Sequence, residues 1–261
     1  MHLIALSCLL SLLHACIVVS MHNTTQMANP GGHPIRISVD AVVFDYGNVL
    51  CLEQSSSDLE RMARICQVPA RRFSESYWGL RASYDRGDLS GAAYWSSLAA
   101  EFGQPLSGKQ IPILIELDCV SVARPNEAAI RWARQLHAAG IALALLSNMP
   151  RELSQYVANT CQWLSLFDHL IFSCDHRSIK PESLIYGKCL EALRLDATRV
   201  LYFDDRAENI EAASRMGIHS VLFEGVDQAA KIVEARFDVP VPVIDDAALP
   251  RFEECVLTLN R

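Results

Sequence analysis

Short apolar runs of strand length recur along the chain and form its clearest pattern. The first opens the stretch VVFDYGNVL at residues 42–50, and four similar runs cover residues 141–146, 169–173, 200–203 and 219–223. Their apolar residues are continuous rather than alternating with polar ones. This is typical of strands that are buried on both faces of a parallel sheet.

Helical patterns lie between the later runs. They cover residues 126–139, 182–193 and 207–216, so that helix and strand alternate along the chain. Such alternation predicts an α/β fold with a doubly wound parallel sheet and right-handed crossovers. In sheets of this kind the functional site lies beyond the carboxyl ends of the strands.

Residues 55–120 break this alternation. They contain no convincing strand, are helix-like throughout and concentrate Tyr and Trp residues between Tyr77 and Trp95. We therefore predict a helical cap at residues 55–120, inserted after the first strand. The α/β core is then formed by residues 35–54 and 121–261.

Residues 1–34 precede the predicted core as an apolar segment at 3–19 and a polar, flexible leader. No Lys or Arg occurs before Arg36, although a secretory signal normally starts with basic residues. The run is also shorter than the ~20 apolar residues of a spanning helix. An export signal, a vestigial extension and a later translation start at Met21 or Met27 all stay open. We predict a cytoplasmic protein with no stable membrane insertion.

The charge balance of the 261-residue chain limits its partners. It has 23 Lys and Arg against 30 Asp and Glu, a formal net charge of −7, and its basic residues are scattered. Because nucleic-acid binding requires clustered positive charge, no nucleic-acid partner is expected. The nine cysteines are odd in number and lack a C-x-x-C spacing, which favours reduced thiols over a disulfide framework or a zinc site.

Residues with useful chemistry follow four of the predicted strands. Since parallel strands end at one edge of a sheet, these side chains are expected to meet there. Two carboxylate positions can share a Mg²⁺ ion, and a lysine and a hydroxyl can hold a phosphate. The residues are Asp45 after the first strand, Ser147 and Asn148 after the second, Lys180 after the third, and Asp204 and Asp205 after the fourth.

Each of these residues, taken singly, also has an ordinary structural explanation. A lone Asp after a strand is more often a turn former, and Ser147-Asn148 can cap the helix that follows. Lys180-Pro181, which we place at the opening of the helix after the third strand, can be plain loop. Their occurrence after successive strands of one sheet makes a chance combination improbable.

Four segments, VVFDYGNVL, LLSN, IKPE and YFDDRAENI, resemble in their order the four motifs of the haloacid dehalogenase-like hydrolase superfamily. The resemblance covers about residues 39–223 and looks closest to the subgroup that contains the bacterial α-glucose-1-phosphate phosphatase. It implies a Rossmann-like core with a helical cap. It also implies a Mg²⁺-dependent phosphomonoester hydrolase that transfers the phosphoryl group of its substrate to an aspartate, as an aspartyl-phosphate intermediate. The implied substrate is a small phosphorylated metabolite, and a sugar phosphate is one candidate.

The resemblance also assigns roles to individual residues. Asp45 is expected to be the nucleophile and Lys180 to offset negative charge, while Ser147 and Asn148 bind the phosphoryl oxygens. Asn209 is expected to support the acid pair. The implied Mg²⁺ ligands are Asp45, the main-chain carbonyl of Gly47, Asp204 and Asp205.

Gly47 stands where most phosphatases of the superfamily carry a second Asp, which protonates the leaving group. General acid–base help of this kind is worth ~10²–10⁴-fold in rate. Its loss predicts that turnover depends on the acidity of the departing alcohol, which favours a sugar 1-phosphate over a 6-phosphate. Glu53 or a side chain of the cap could substitute for the missing acid. A solvated loop position is the more ordinary expectation for Glu53.

Three cap residues, Trp78, Tyr84 and Arg86, are candidate substrate contacts, although packing is the more ordinary role for each. Two rival functions also stay open. A 2-haloacid dehalogenase lacks the second acid too, but it works without a metal, and the acid pair Asp204-Asp205 favours the phosphatase. A non-catalytic binding protein of the same fold is supported only by Gly47.

Overall fold

The computed structural model describes residues 36–242. The apolar segment at 3–19 and the leader up to residue 34 lie outside these residues, so their interpretation and the cytoplasmic location stay predictions. Within residues 36–242, no helix combines the length and the apolar character needed to cross a membrane. The cysteines in this part of the chain that are free thiols are Cys51, Cys66, Cys119, Cys161, Cys174 and Cys189.

Five parallel strands form one sheet within the described residues, in the spatial order β3-β2-β1-β4-β5. Strand β1 is central, and its Val43 pairs with Ala144 on one side and with Tyr202 on the other. The prediction of a doubly wound parallel sheet is therefore confirmed. The strands are β1 (Ala41–Phe44), β2 (Ala142–Ser147), β3 (His169–Phe172), β4 (Val200–Asp204) and β5 (His219–Leu222).

Helices cover both faces of this sheet because successive strand residues point to opposite sides. On one face Phe44 packs in a cluster with Trp132 and Val233, and on the other Val43 packs with Ile185 and Ala213. The core helices are α6 (Glu127–Ala138), α7 (Arg151–Thr160), α8 (Ser173–His176), α9 (Ser183–Leu193), α10 (Ala207–Arg215) and α11 (Val226–Arg236). Two 3-10 helices, Gln162–Leu166 and Ala197–Arg199, complete the described core.

An all-helical insertion follows β1, as the sequence predicts. Its own core is aromatic, and it contains the fully buried rings of Phe73, Tyr77, Tyr94 and Trp95. In the described chain these helices are α1 (Ser56–Ile65), α2 (Ala70–Gly79), α3 (Arg81–Asp85), α4 (Gly91–Phe102) and α5 (Gln110–Ser121).

The region after β3 differs from the expected pattern. The one-turn helix α8 follows the strand directly, and α9 begins only at Ser183, so Lys180-Pro181 lies in the connection instead of opening the helix. The Lys180–Pro181 peptide bond is cis. A four-residue helix has no periodicity to detect, which is why α8 is absent from the sequence prediction.

The capping explanation of Ser147-Asn148 is wrong. The N-cap of α7 is Pro150, and no side chain donates or accepts a capping hydrogen bond there. Asn126, in contrast, does cap α6, since its side chain accepts from Ala129 N at 3.4 Å. The side chains of Ser147 and Asn148 are therefore available for other contacts.

Candidate active site

A buried lysine joins two carboxylates at the carboxyl edge of the sheet. Asp45 directly follows the central strand β1, and Asp204 ends the neighbouring strand β4. Lys180 Nζ lies 2.6 Å from Asp45 Oδ1 and 2.7 Å from Asp204 Oδ2. All three residues are buried. Buried charges are tolerated only when they are paired, and each charge has its partner here.

Asn148 holds this lysine in place through its main chain. The amide oxygen Oδ1 accepts from Lys180 N at 2.7 Å, and Nδ2 donates to Lys180 O at 3.0 Å. Lys180 Nζ also donates to the carbonyl of Leu146, at 3.1 Å. The end of β2 therefore fixes the lysine that follows β3. A contact between the Asn148 side chain and a substrate phosphate stays a prediction.

Asp204 accepts hydrogen bonds on both of its oxygens. Oδ2 accepts from Lys180 Nζ and from the Tyr202 hydroxyl. Oδ1 accepts from Arg206 N and from Asn209 Nδ2, at 2.9 Å each. Burial by itself would raise the pKa of Asp204, but Lys180, the Tyr202 hydroxyl and Arg206 N hold the pKa below its ordinary value. Asp204 is therefore a fixed negative charge that orients the lysine.

Asp45 is less fully bonded. Its Oδ1 accepts from Tyr46 N at 2.7 Å as well as from Lys180, whereas Oδ2 accepts no hydrogen bond from any described residue. Burial, together with the charges of Asp204 and Asp205, raises the pKa of Asp45 to about 7 against the opposing effect of Lys180. A bound cation would relieve this repulsion.

Three carboxylates come close enough together to bind one metal ion. Asp45, Asp204 and Asp205 each offer an oxygen, and the three oxygens lie within 4.8 Å of one another. Asp205 is anchored by Asn48, whose Nδ2 donates to Asp205 Oδ2 at 2.8 Å. An all-oxygen set of acids suits a hard cation such as Mg²⁺. Ligation by the carbonyl of Gly47 stays a prediction.

Ser147 ends β2, next to the central strand, and is buried. Its hydroxyl makes no hydrogen bond with any residue in the described part of the chain. A hydroxyl in this position can donate to an oxygen of a bound phosphate. This role for Ser147 stays a prediction, as does the corresponding role of its neighbour.

The candidate acids and cap residues lie in different surroundings. Glu53 is solvent exposed, as expected of a loop glutamate. Tyr84 is buried and stacks on Tyr94, with ring centroids 4.4 Å apart, whereas Trp78 is 52% exposed. Arg86 pairs with Glu182 of the core at 2.6 Å. Substrate contacts of Trp78, Tyr84 and Arg86 stay predictions.

Two contributors to this site are missing from the sequence prediction. The first is Tyr202, whose hydroxyl donates to Asp204 and which the sequence presents only as an apolar strand residue. Because residues two apart on a strand lie on the same face, its position two before Asp204 is a signal that could have been used. Ser173 Oγ accepts from Met149 N at 2.9 Å and donates to the carbonyl of Asp85 in the insertion. No sequence pattern indicates this second link.

The fold is a doubly wound α/β sheet with a helical insertion after β1. At its carboxyl edge the site combines one acid, a lysine and a pair of acids. This combination defines a class of hydrolases. The chain belongs to the haloacid dehalogenase-like hydrolase family, whose sequence profile matches residues 39–217. The superfamily resemblance is thereby confirmed. Membership of the α-glucose-1-phosphate phosphatase subgroup is not.

Relatives with assigned names include phosphatases at low identity. A sesquiterpene phosphatase of Aspergillus oryzae is 24% identical over 75% of this chain and 94% of its own length. Bifunctional epoxide hydrolase 2 of Mus musculus is 33% identical over 38% of this chain. The matched region is 17% of that hydrolase, and another mouse relative is matched over 14% of its length.

Solved structures share the fold. An asp-to-ala mutant of a family enzyme from Bacteroides thetaiotaomicron, in complex with magnesium and inorganic phosphate, superposes with a TM-score of 0.62 at 17% identity, covering 74% of this chain and 99% of that one. An L-2-haloacid dehalogenase is among the similar structures as well. At these identities the similarity establishes the fold alone.

Proposed function

We propose that the protein is a Mg²⁺-dependent phosphomonoester hydrolase that works through an aspartyl-phosphate on Asp45. The observation that carries this proposal is the bridging of Asp45 and Asp204 by Lys180 beside a cluster of three carboxylates. Such a centre combines a nucleophile, a fixed positive charge and ligands for a hard cation. These are the groups that phosphoryl transfer requires.

Asp45 Oδ2 is the proposed attacking atom because it has no hydrogen-bond donor among the described residues. It forms a bond to phosphorus while the bond from phosphorus to the departing oxygen breaks. Lys180 offsets the charge of the phosphoryl group, and Ser147 Oγ donates to one of its oxygens. Water then hydrolyses the aspartyl-phosphate, which releases phosphate and restores Asp45.

The metal would be held by Asp45, Asp205 and the main-chain carbonyl of Gly47. Asp204 would contribute mainly its charge, since both of its oxygens already accept two hydrogen bonds each. When bound, Mg²⁺ supplies positive charge that stabilises the transferring phosphoryl group. The pair Asp204-Asp205 favours this reaction over metal-free dehalogenation, which has less need of a second acid.

Within the phosphomonoesters we propose a small phosphometabolite as the substrate, with sugar phosphates as the first group to test. The proposal is supported by the buried lysine and carboxylates of the site and by the phosphatases among the named relatives. One of these relatives is a validoxylamine A 7'-phosphate phosphatase, 28% identical over 42% of this chain and 51% of its own length.

A phosphate-release screen tests the proposed function. Sugar phosphates, nucleotides and p-nitrophenyl phosphate are incubated with the purified protein in Mg²⁺ or in EDTA. We expect phosphate release in Mg²⁺, loss of release in EDTA and its return when Mg²⁺ is added in excess, because the carboxylates need a cation to accept a phosphate dianion. Halide release from 2-haloacids that persists in EDTA would overturn the proposal.

A further inference from the structure

Asp85 is an acid of the helical insertion that lies at the junction with the core. It ends α3, which packs against α8, and its main-chain carbonyl accepts a hydrogen bond from Ser173 Oγ. The same Oγ accepts from Met149 N, the residue after Asn148. Two hydrogen bonds through one serine thus connect Asp85 to the phosphate-binding turn proposed at the end of β2.

The insertion and the core approach each other closely at this junction. Gly87, with a φ of 79°, lies where an added Cβ would be 2.9 Å from the carbonyl oxygen of Cys174, so a larger residue does not fit. Arg177 of the core pairs with Asp88 at 2.7 Å. The main chain around Asp85 is therefore held against the carboxyl edge of the sheet.

The side chain of Asp85 shares one buried cation with a second acid. Arg81 Nη1 donates to both oxygens of Asp118, at 3.0 and 2.9 Å, and Arg81 Nε donates to Asp85 Oδ1 at 2.8 Å. Asp118 is engaged further by the Tyr77 hydroxyl. Asp85 Oδ2, in contrast, has no hydrogen-bond partner among residues 36–242, and the Asp85 side chain keeps 13% of its surface exposed.

The charges around Asp85 come from both sides of the junction. Arg81 and Asp118 belong to the insertion, and Arg206 of the core, the residue after Asp205, is also close enough to act on it. Burial, together with the charge of Asp118, raises the pKa of Asp85 to about 6 against the lowering effects of Arg81 and Arg206. An acid of this kind exchanges a proton readily near neutral pH.

Other acids near the junction have assigned partners or face solvent. Glu182 binds Arg86 and Ser178, and Asp88 binds Arg177. Glu152 Oε1 accepts from Gly91 N at 2.6 Å, and its Oε2, which has no hydrogen-bond partner among the described residues, is buried away from any substrate. Glu53, the alternative that the sequence offers, is exposed. Asp85 combines a partly exposed side chain, an oxygen without a hydrogen-bond partner among the described residues and a main chain that is bonded to the core.

We propose that Asp85 is the proton donor to the leaving group, in place of the acid that is absent at Gly47. The proposal rests on the phosphatase function and completes its proton balance. As Asp45 Oδ2 bonds to phosphorus, the departing oxygen takes the proton of the Asp85 carboxyl group. The resulting Asp85 carboxylate then accepts a proton from the water that attacks the aspartyl-phosphate. Phosphate leaves, and Asp85 is again protonated.

The first test uses the native protein and varies the leaving group. With Asp85 as donor, kcat/KM should depend only weakly on the acidity of the departing alcohol across alkyl, aryl and sugar phosphates. If no residue replaced the acid that is missing at Gly47, kcat/KM would instead depend steeply on the acidity of the alcohol. A steep dependence in the native protein would overturn the proposal even if no variant of Asp85 folds.

The second test is Asp85→Asn, which keeps the size of the side chain and the main-chain bond to Ser173. We expect kcat/KM for alkyl phosphates to fall ~10²–10⁴-fold, whereas for p-nitrophenyl phosphate, whose leaving group needs no proton, it falls less than ~10-fold. Because the second step also loses its base, p-nitrophenol should appear as a burst equal to the enzyme concentration. An equal loss for all esters would mean a structural role and would contradict the proposal.

The matched control is Asp118→Asn, the same change in the other acid that pairs with Arg81. It should alter the melting temperature and lower the pKa of Asp85, whose proton the charge of Asp118 helps to hold, but at a pH low enough to keep Asp85 protonated it should leave the dependence on the leaving group unchanged. The pH profile gives a further check, since the ratio of native to Asp85→Asn kcat/KM for an alkyl phosphate should fall as the pH rises above about 6. A pH-independent ratio would count against a proton at Asp85.

The two proposals fail in different ways. If the native protein releases no phosphate from any ester in Mg²⁺, the phosphatase function fails. If the native protein is active and Asp85→Asn turns over alkyl phosphates at the native rate, only the role of Asp85 fails.

The variant Gly47→Asp in the Asp85→Asn background adds a rescue test, because an added Cβ at residue 47 meets no heavy atom within 4 Å. We expect recovery for alkyl phosphates alone, and equal recovery for all esters would contradict proton donation.

Discussion

Asp45→Asn is expected to reduce phosphate release by ~10⁴-fold or more while the protein stays folded. The amide cannot form the aspartyl-phosphate, yet its oxygen can still accept from Tyr46 N and Lys180, as Asp45 Oδ1 does. The loss of turnover is measured as kcat on the best ester of the screen. Circular dichroism and the melting temperature show whether the variant is folded. Near-native turnover by a folded variant would end the assignment of Asp45 as nucleophile.

Asp40→Asn provides the matched control for this variant. Asp40 precedes the same strand at its opposite end, where it is exposed and pairs with Arg199. The chemical change is identical, but the residue is remote from the carboxyl edge. Since exposed ion pairs contribute little to stability, both turnover and melting temperature should stay close to native values.

Lys180→Met is expected to lower both stability and activity. The substitution keeps most of the buried aliphatic stem but leaves Asp45 and Asp204 without the charge that lies between them. Breaking a buried ion pair from one side costs about 3–5 kcal/mol, which for a domain of this size lowers the melting temperature by roughly 10 °C. Thermal unfolding monitored by circular dichroism measures the shift, and added Mg²⁺ should recover part of it.

Lys188→Met serves as the comparison, because Lys188 is exposed and pairs only with Glu191 at 2.7 Å. Its melting temperature should change by no more than a degree or two. If Lys180→Met unfolded at the same temperature as Lys188→Met, the two carboxylates could not be held together by Lys180 as described. Phosphate release by Lys180→Met should also fall, since the remaining charges repel the substrate.

The sheet and the edge that carries the site follow from the sequence because buried parallel strands leave a strong signal. Continuous apolar runs mark each strand, and the residue after a run must emerge at the carboxyl edge. That is why Asp45 and Asp204 could be predicted as neighbours although they are far apart in the chain. The helical insertion is equally visible, since its period differs from that of the strands.

Contacts that depend on tertiary structure could not be predicted in the same way. The Asn148 side chain binds the main chain of Lys180, and main-chain groups are the same in every residue. The pairing of Arg81 with Asp118 depends on how two helices of the insertion pack, so the sequence draws attention to Tyr84 and Arg86 but not to Asp85 between them. Burial, which sets the acidity of Asp85, is likewise a property of the folded chain.

The central position of β1 has a consequence for how the protein loses activity on heating. Its residues pair on both sides, and Phe44 is fully buried, so the amide hydrogens next to Asp45 are expected to exchange with solvent only through global unfolding. The insertion, in contrast, meets the core partly through exposed pairs such as Arg177 with Asp88. Inactivation below the global transition would therefore begin with detachment of the insertion, while the nucleophile stays in place on a strand that has not opened.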